Sequence, residues 1–491
     1  MQDRKKTIST PPVYLLLLIL FFIFHGYVEN FLLIPLSAAI QLVLIYSLSI
    51  TVLHYIFLYF IGSVSKAGLI TAALMALFFF FGSFHDLLIH RLGKQFLSSY
   101  TFVLPFCFLI TTGVILYISR AKRSFKKASA YLNALLLILL LIESGILLNK
   151  ASKSNDQATL PKGLQKCDSC YKPNIYLVIA DEYAGHQELI DIFGYDNSPF
   201  ENELKSLGFH YPDSSVSNYN FTPFSVASIL NYDYLPFSDS NRMAREVPIV
   251  MESIKNNNLI RFLSLHGYKI VNNSIFDLEG EPAATSSEFF PAKSKYITAQ
   301  TLFSRLYRDL GYHLITKLKL RWVIKRSMYN SLNNNRFLYQ KTLETKSDFS
   351  HPLFSYSHLH MPHTPYYFDE NGAEMAYDSL FDSGNRRLYI GYLKYCNKQY
   401  LNLFTTLIKR ETVNPPIIIF LSDHGYRARY GGNEFERKYN FMNTIAVYNP
   451  YVKPQGLYNG MSAVNVFRIF LNEQFSQRLP LLKDSVTYLK D

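Results

Sequence analysis

The sequence predicts an α-helical membrane domain followed by an α/β domain, the latter with a mostly parallel central sheet flanked by helices. Three observations carry this. Residues 12 to 149 are dominated by Leu, Ile, Phe and Val, whereas residues 150 to 491 have ordinary globular polarity. The second part alternates short apolar runs with helical patterns, as chains with parallel sheets do. Several of those runs stop abruptly on carboxylates, histidines or glycine, above all in Pro416-Ile-Ile-Ile-Phe-Leu-Ser-Asp-His-Gly425. With 491 residues the chain exceeds one ordinary domain.

A bilayer crossing takes about 20 apolar residues. Five spans are expected, near 13–34, 37–61, 67–87, 98–118 and 131–149. Gly26-Tyr-Val-Glu-Asn30 interrupts one long apolar region and makes the first two hard to separate. A cleaved signal peptide is the alternative for the first span, but no small-residue cleavage site follows it. Arg4, Lys5 and Lys6 precede the first span, and Arg120, Lys122, Arg123, Lys126 and Lys127 fill the loop before the fifth. Positive loops stay cytoplasmic; four crossings separate the two clusters, so the fifth span delivers residue 150 onward to the outside. Arg91 and Lys94 fall on an outer loop, against the trend. The expected domains are 1–150 transmembrane, 151–172 linker and 173–491 extracytoplasmic. Glu143 is the charge inside span five, which marks helix packing or lipid contact.

The net charge is +12. Much of it sits in the juxtamembrane clusters and no nucleic-acid recognition motif is present, so anionic lipid headgroups are the expected partner, not nucleic acid. Of four cysteines, Cys107 and Cys396 fall in apolar or helical patterns and read as packed thiols. Cys167 and Cys170 lie outside the membrane, where a small disulfide loop is permitted. No second Cys-x-x-Cys exists to complete a zinc site. Residues 295 to 345 read as helical and basic, with the sole tryptophan at Trp322.

Four loops carry candidate chemistry. The strand pattern from Asn174 to Ala180 ends at Asp181-Glu182, two adjacent carboxylates suited to a hard metal or to a solvated turn. Thr222 stands just before Pro223, which favours the first turn of a helix. It is either a plain N-cap or a nucleophile facing an anion-friendly helix terminus. Ser225 and Ser228, further in, are expected to pack or hydrogen-bond locally. Three of the thirteen histidines, His358, His360 and His363, fall within six residues. His363 lies between two prolines that hold it where charge develops; His358 and His360 alternate along a strand, one supporting and one packed. Asp423-His424 closes the last apolar strand, as an N-cap beside a chance histidine or as a ligand pair for zinc or manganese.

Together these motifs resemble the alkaline phosphatase superfamily, and more narrowly the sulfatase-like membrane enzymes that include lipoteichoic acid synthases and lipid A phosphoethanolamine transferases. The resemblance implies an alkaline-phosphatase/sulfatase-like α/β domain after five spans. It implies a metal-binding glutamate at Glu182, and Asp181-Glu182 is similar to the Asp-Asp metal pair of soluble sulfatases. It implies a threonine nucleophile at Thr222, with Ser225 three positions on. His363-Thr-Pro-Tyr-Tyr367 is similar to a transferase segment whose histidine contacts the substrate's charged group, and Ser422 to Gly425 matches their Ser-Asp-His-Gly. The chain departs from the pattern too. A sulfatase's convertible Cys or Ser needs Pro two positions on and Arg four on; neither follows Thr222 at those places. The transferases' later histidine is missing between Tyr426 and Asn449, where Arg427, Arg429 or Lys438 would take its place. Cysteines are too few for the transferases' disulfides.

The expected protein is a membrane-anchored phosphotransferase at the outer face of the cytoplasmic (inner) membrane. Glu182, Asp423 and His424, with Asp181, would hold one divalent metal, Mn or Zn, with Mg or Ca as alternatives. Thr222 and His363 would be catalytic, and His360, Arg429 and Lys438 would bind substrate. The donor would be a membrane phospholipid and the acceptor an envelope lipid or glycan. A hydrolase releasing product to water, and a non-catalytic domain binding anionic glycans, are the alternatives.

Overall fold

The computed structural model describes residues 12–490 except 124, 154–158, 237–242, 288–289, 319, 348–349, 428–436 and 454. The chain forms two compact units: Met1–Asp156 with Phe289–Val323, and Gln157–Glu288 with Ile324–Asp491.

The first unit begins with helices α1 (Val13–Glu29), α2 (Leu36–Ile61), α3 (Val64–Leu92), α4 (Tyr100–Arg120) and α5 (Lys126–Lys153). Among the described residues, four of these, α2 to α5, are long and apolar enough to cross a membrane; α1 is a shorter apolar helix of 17 residues. It ends where the polar Glu29-Asn30 step begins, and the Asn30 amide turns back onto the Gly26 carbonyl (3.0 Å). α1 packs against α2, α3 and α5, with Phe22 stacked on Phe79 at 4.3 Å between ring centroids. Helices α4 and α5 leave Phe108, Leu109, Leu141 and Leu148 exposed. Glu143 is paired: its carboxylate meets His25 Nδ1 at 2.7 Å, the partner a charge in an apolar bundle requires. The first basic cluster, Arg4 to Lys6, lies outside the described residues.

The second unit follows β1 (Ile175–Asp181), α6 (His186–Phe193), α7 (Ser198–Ser206), β2 (Phe209–His210), β3 (Ser215–Val216), α8 (Thr222–Asn231), α9 (Met243–Lys255), α10 (Asn258–Leu265) and β4 (Lys269–Asn273). Next come α11 (Lys295–Thr298) and α12 (Leu302–Lys317), which fall in the first unit, and α13 (Arg321–Glu344). The chain closes with β5 (Leu353–Pro362), α14 (Arg386–Arg410), β6 (Ile417–Ser422), β7 (Met442–Asn443), β8 (Ile445–Tyr448), β9 (Met461–Ser462) and α15 (Val466–Phe475).

Six strands form the central sheet in the order β2-β8-β6-β1-β5-β4. β6, β1, β5 and β4 run parallel, while β8 is antiparallel to both β6 and β2. β1 and β6 are buried along their whole length, which is why they read as continuous apolar runs without alternation. A small second sheet, β7-β3-β9, lies beside the loops that follow β6. Helix α14 covers one face of the central sheet with Tyr389, Tyr392, Leu393, Tyr400 and Phe404. Cys167 and Cys170 are joined in a disulfide, and Cys396 is a buried thiol.

Candidate active site and metal centre

β1, β5 and β6 are neighbours and parallel, so their carboxyl ends open onto one crevice, where ligands bind in open α/β sheets. The register of β1 on β5 shifts between Ala180 and Asp181, which sets Asp181 opposite Pro362. That slip places Asp181 among the histidines of β5: His358 Nε2 is 3.8 Å and His360 Nε2 3.7 Å from its Oδ2. His363, just past β5, faces the next carboxylate, with Nε2 3.6 Å from Glu182 Oε2. From the end of β6, Asp423 and His424 enter fully buried, and His424 Nε2 lies 3.4 Å from Asp423 Oδ2 and 3.9 Å from Asp181 Oδ1. Thr222 opens α8 with Pro223 in its first turn, and its hydroxyl is 3.2 Å from His424 Nε2.

The backbone is held to match. Glu182 adopts a left-handed conformation (φ +60°), which costs a non-glycine residue of order 1–3 kcal/mol. Tyr389 from α14 braces that turn: its hydroxyl accepts from the Ala184 N–H and donates to the Glu182 carbonyl, both at 3.0 Å. The Asp423 carboxylate ties the two strand ends together by accepting from the Glu182 N–H (3.1 Å) and the His424 N–H (2.9 Å). Gly425 passes so close to the Tyr439 and Met442 carbonyls that a Cβ would collide with both. Ser225 and Ser228 make only local hydrogen bonds, to the carbonyls of Tyr219 and Asp233.

Electrostatically the crevice is a buried pair of carboxylates ringed by imidazoles. Burial pushes Asp423 up to about 6, and the charge of Asp181 adds to the effect. Burial acts on Asp181 in the same sense, but His363, His358 and His360 outweigh it and hold Asp181 well below the usual carboxylate range. Burial, then the nearby Arg427, lower His424 to about 3; burial and His363 do the same to His360. His363 goes the other way, because Glu182 and Asp181 overcome the burial that would lower it.

A divalent cation fits this donor set. Asp181 Oδ1 and Asp423 Oδ2 are buried and make no hydrogen bond, an arrangement that is costly unless a positive charge joins it. His424 is neutral, with Nδ1 engaged by the Gly425 carbonyl (2.8 Å), leaving the Nε2 lone pair directed at both carboxylates. Among the described residues two groups of donors converge within 4.8 Å, Asp181 with His360 and His363, and Asp181 with His358 and Asp423. Asp181 is common to both, a more central position than the sequence reading assigned it. Glu182 has one oxygen engaged by the Arg427 N–H (2.7 Å) and the other facing His363.

Arg427 reaches the Thr222 loop: its guanidinium donates to the Asn220 carbonyl (3.3 Å) and lies 5.5 Å from the Phe221 ring centroid. Lys438 sits over the ring of Tyr439 at 4.7 Å. Arg429 lies outside the described residues. One buried group went unread in the sequence. Glu188 on α6 is fully enclosed and accepts from the Tyr426 N–H (3.2 Å), two positions beyond His424. Its signal was a charged residue inside an otherwise apolar helix face.

A comparison with curated proteins finds no match. Among solved structures, the C-terminal periplasmic domain of EcEptC from Escherichia coli is 12% identical with a TM-score of 0.39, covering 67% of this chain and 92% of that one. The corresponding domain of the phosphoethanolamine transferase EptC from Campylobacter jejuni is 14% identical with a TM-score of 0.36, covering 64% and 92%. The phosphonate monoester hydrolase SpPMH from Silicibacter pomeroyi is 14% identical with a TM-score of 0.41, covering 64% and 76%. The Sulfatase family model matches residues 173–452, a span that runs from just before β1 to just past β8 and takes in every crevice residue described above, and on that match the chain belongs to the sulfatase family.

Proposed function

We propose that this chain is a membrane-anchored, metal-dependent phosphotransferase of the sulfatase family, moving a phospho-headgroup from a phospholipid to an envelope lipid or glycan. The observation that carries the reading is Thr222, whose hydroxyl opens a helix and sits 3.2 Å from the bare nitrogen of His424, beside two carboxylate oxygens with no hydrogen bond. Thr222 cannot be converted to the formylglycine of sulfate-ester chemistry, and a hydroxyl at a helix N-terminus is placed to attack a tetrahedral anion.

Asp181, Asp423 and His424, with Glu182 beside them, would hold the cation, which when bound supplies positive charge that lowers the Thr222 pKa and offsets charge on the phosphoryl oxygens. Thr222 Oγ1, its proton released to solvent, attacks phosphorus, the bond from phosphorus to the donor alcohol breaks, and Thr222 remains esterified to the phospho-headgroup. His363, whose proton affinity Glu182 and Asp181 raise against the effect of burial, gives a proton to the departing alcohol. The Arg427 guanidinium, at the Thr222 loop, neutralises the group being transferred. An acceptor hydroxyl then displaces Thr222; water in its place makes the same site a hydrolase. Four apolar helices support a multi-pass anchor in the cytoplasmic membrane with the crevice outside, which keeps a lipid donor at high effective concentration.

The test is intact-mass analysis of the purified full chain with native donor lipid and bound metal. A phosphate-bearing adduct on the wild type that disappears in Thr222→Ala, together with lost turnover and retained metal, is the expected result. Unchanged turnover in Thr222→Ala refutes the covalent route.

A further inference from the structure

Residues 293 to 321 interrupt the sequence between β4 and β5, yet α11 and α12 belong to the helical unit with α1 to α5. The contacts are specific. Gly26 of α1 meets Ile297 so closely that a Cβ would lie 3.2 Å from its side chain. The Gly82 N–H of α3 donates to the Gln300 carbonyl (2.8 Å). Arg305 is buried in an ion pair with Asp86, and Tyr100 donates to Asp309.

The depth of this contact follows from α3. Lys66 and Asp86 are 20 residues apart on one helix, about 30 Å at 1.5 Å per residue, the thickness of a hydrocarbon core. Lys66 is engaged by the Ser119 carbonyl at one border (2.9 Å), and the Asp86–Arg305 pair marks the other. α12 therefore crosses α3 at the level of the headgroups.

Its two faces differ. Arg305 and Asp309 turn toward α3 and α4, while Phe303, Tyr307, Leu314 and Leu318 are 69%, 61%, 51% and 65% exposed. At 100° per residue these four fall in one narrow sector opposite Arg305. Trp322, 65% exposed, follows five residues after α12's end, at the start of α13. Between 293 and 321 the chain carries seven Lys or Arg against a single acidic residue, Asp309. An apolar stripe rimmed by cations is the pattern of a helix lying in a bilayer surface.

We propose that α11 and α12 return the chain to the membrane. α12 lies along the outer headgroup layer, its Phe303–Leu318 stripe dips into the acyl region, and Lys293, Lys295 and Lys317 engage anionic phospholipid. This rests on α2 to α5 crossing the bilayer with their 92 and 100 ends outside, and not on the phosphotransfer chemistry.

Trp322, the only tryptophan, reports directly. The full chain is reconstituted in phosphatidylcholine–phosphatidylglycerol vesicles whose acyl chains carry bromine near the carbonyl end or near the methyl end. A second protein, Phe303→Trp with Trp322→Phe, reads the stripe itself. A third, Phe108→Trp with Trp322→Phe, reads a lipid-facing position of α4. Bromine near the carbonyl end is expected to remove about half or more of the Trp322 and Phe303→Trp emission, with little effect of methyl-end bromine; Phe108→Trp is quenched by lipid too. Red-shifted emission from Trp322 and Phe303→Trp, unquenched by lipid while Phe108→Trp is quenched, overturns the proposal and leaves the spans standing. Blue-shifted but unquenched emission overturns it in favour of a second copy covering the stripe. An unquenched Phe108→Trp overturns the spans and the proposal together.

Discussion

Replacing Asp423 with Asn should stabilise the metal-free protein and abolish its stabilisation by metal. In the crevice the Asp181 and Asp423 ligand oxygens lie within 4.8 Å. Two ionised carboxylates at that distance repel by about 3 kcal/mol at an effective dielectric constant of 20. Asparagine keeps the Oδ1 that accepts from the Glu182 and His424 N–H groups (3.1 and 2.9 Å) and puts an NH2 where Oδ2 has no partner. The repulsion is removed and a buried lone oxygen becomes a donor facing Asp181. The metal-free variant should therefore gain up to about 3 kcal/mol, less what its new group loses in hydration. The wild type should gain about 2.7 kcal/mol from metal at a hundred times its Kd, and the variant almost nothing. The assay is calorimetric melting of the full chain in detergent, after chelation and at saturating manganese or zinc, at a pH above the Asp423 value of about 6. The two effects have opposite signs, so a general weakening of the fold cannot imitate them. A metal-free Asp423→Asn protein that melts below wild type and still responds to metal would refute the assignment of this carboxylate to a cation.

Three further substitutions separate the roles of neighbouring groups. Gly425→Ala forces a Cβ against the Tyr439 and Met442 carbonyls and the Glu188 carboxylate; a loss of roughly 2–4 kcal/mol in denaturant unfolding is expected, with weaker metal retention. His363→Gln should slow turnover of an alkyl phosphodiester about 10²–10⁴-fold and leave a nitrophenyl ester, whose leaving group needs no proton, nearly unchanged; equal losses on both would remove His363 from proton transfer. Burial lifts the Glu188 carboxyl well above 4.5, so the folded chain keeps a proton that the unfolded chain releases. Stability then declines as pH rises past 4.5, and Glu188→Gln removes that decline. Denaturation midpoints of the two proteins should diverge with rising pH; parallel profiles would show Glu188 carries no such cost.

The parts of this molecule that were legible in sequence are those encoded locally. The apolar runs that became β1 and β6 announce both the strand and its end, because a buried parallel strand must be apolar throughout and must stop where polar ligands begin. Thr222-Pro223 likewise fixes a helix start from two residues. The histidines of β5 were harder. Their roles depend on the register slip that puts Asp181 opposite Pro362, and nothing within the segment from His358 to His363 encodes that slip. Arg427 faced the same limit: Arg427 and Lys438 are equally basic on paper, but only the turn after Gly425 brings one guanidinium to the Thr222 loop. The insertion between β4 and β5 is the clearest case. Its helical, basic character was visible, yet its unit was decided by Arg305 meeting Asp86, more than two hundred positions earlier. An ion pair whose carboxylate is partly open to solvent, as Asp86 is, contributes little net stability, because screening and side-chain ordering offset most of its attraction. Its value here is to fix which face of α12 turns inward. Once Arg305 is committed to α3, the stripe from Phe303 to Leu318 has nowhere to face but outward. The same pair that ties the insertion to the helical unit thereby turns outward the apolar stripe that the proposed lipid contact would cover.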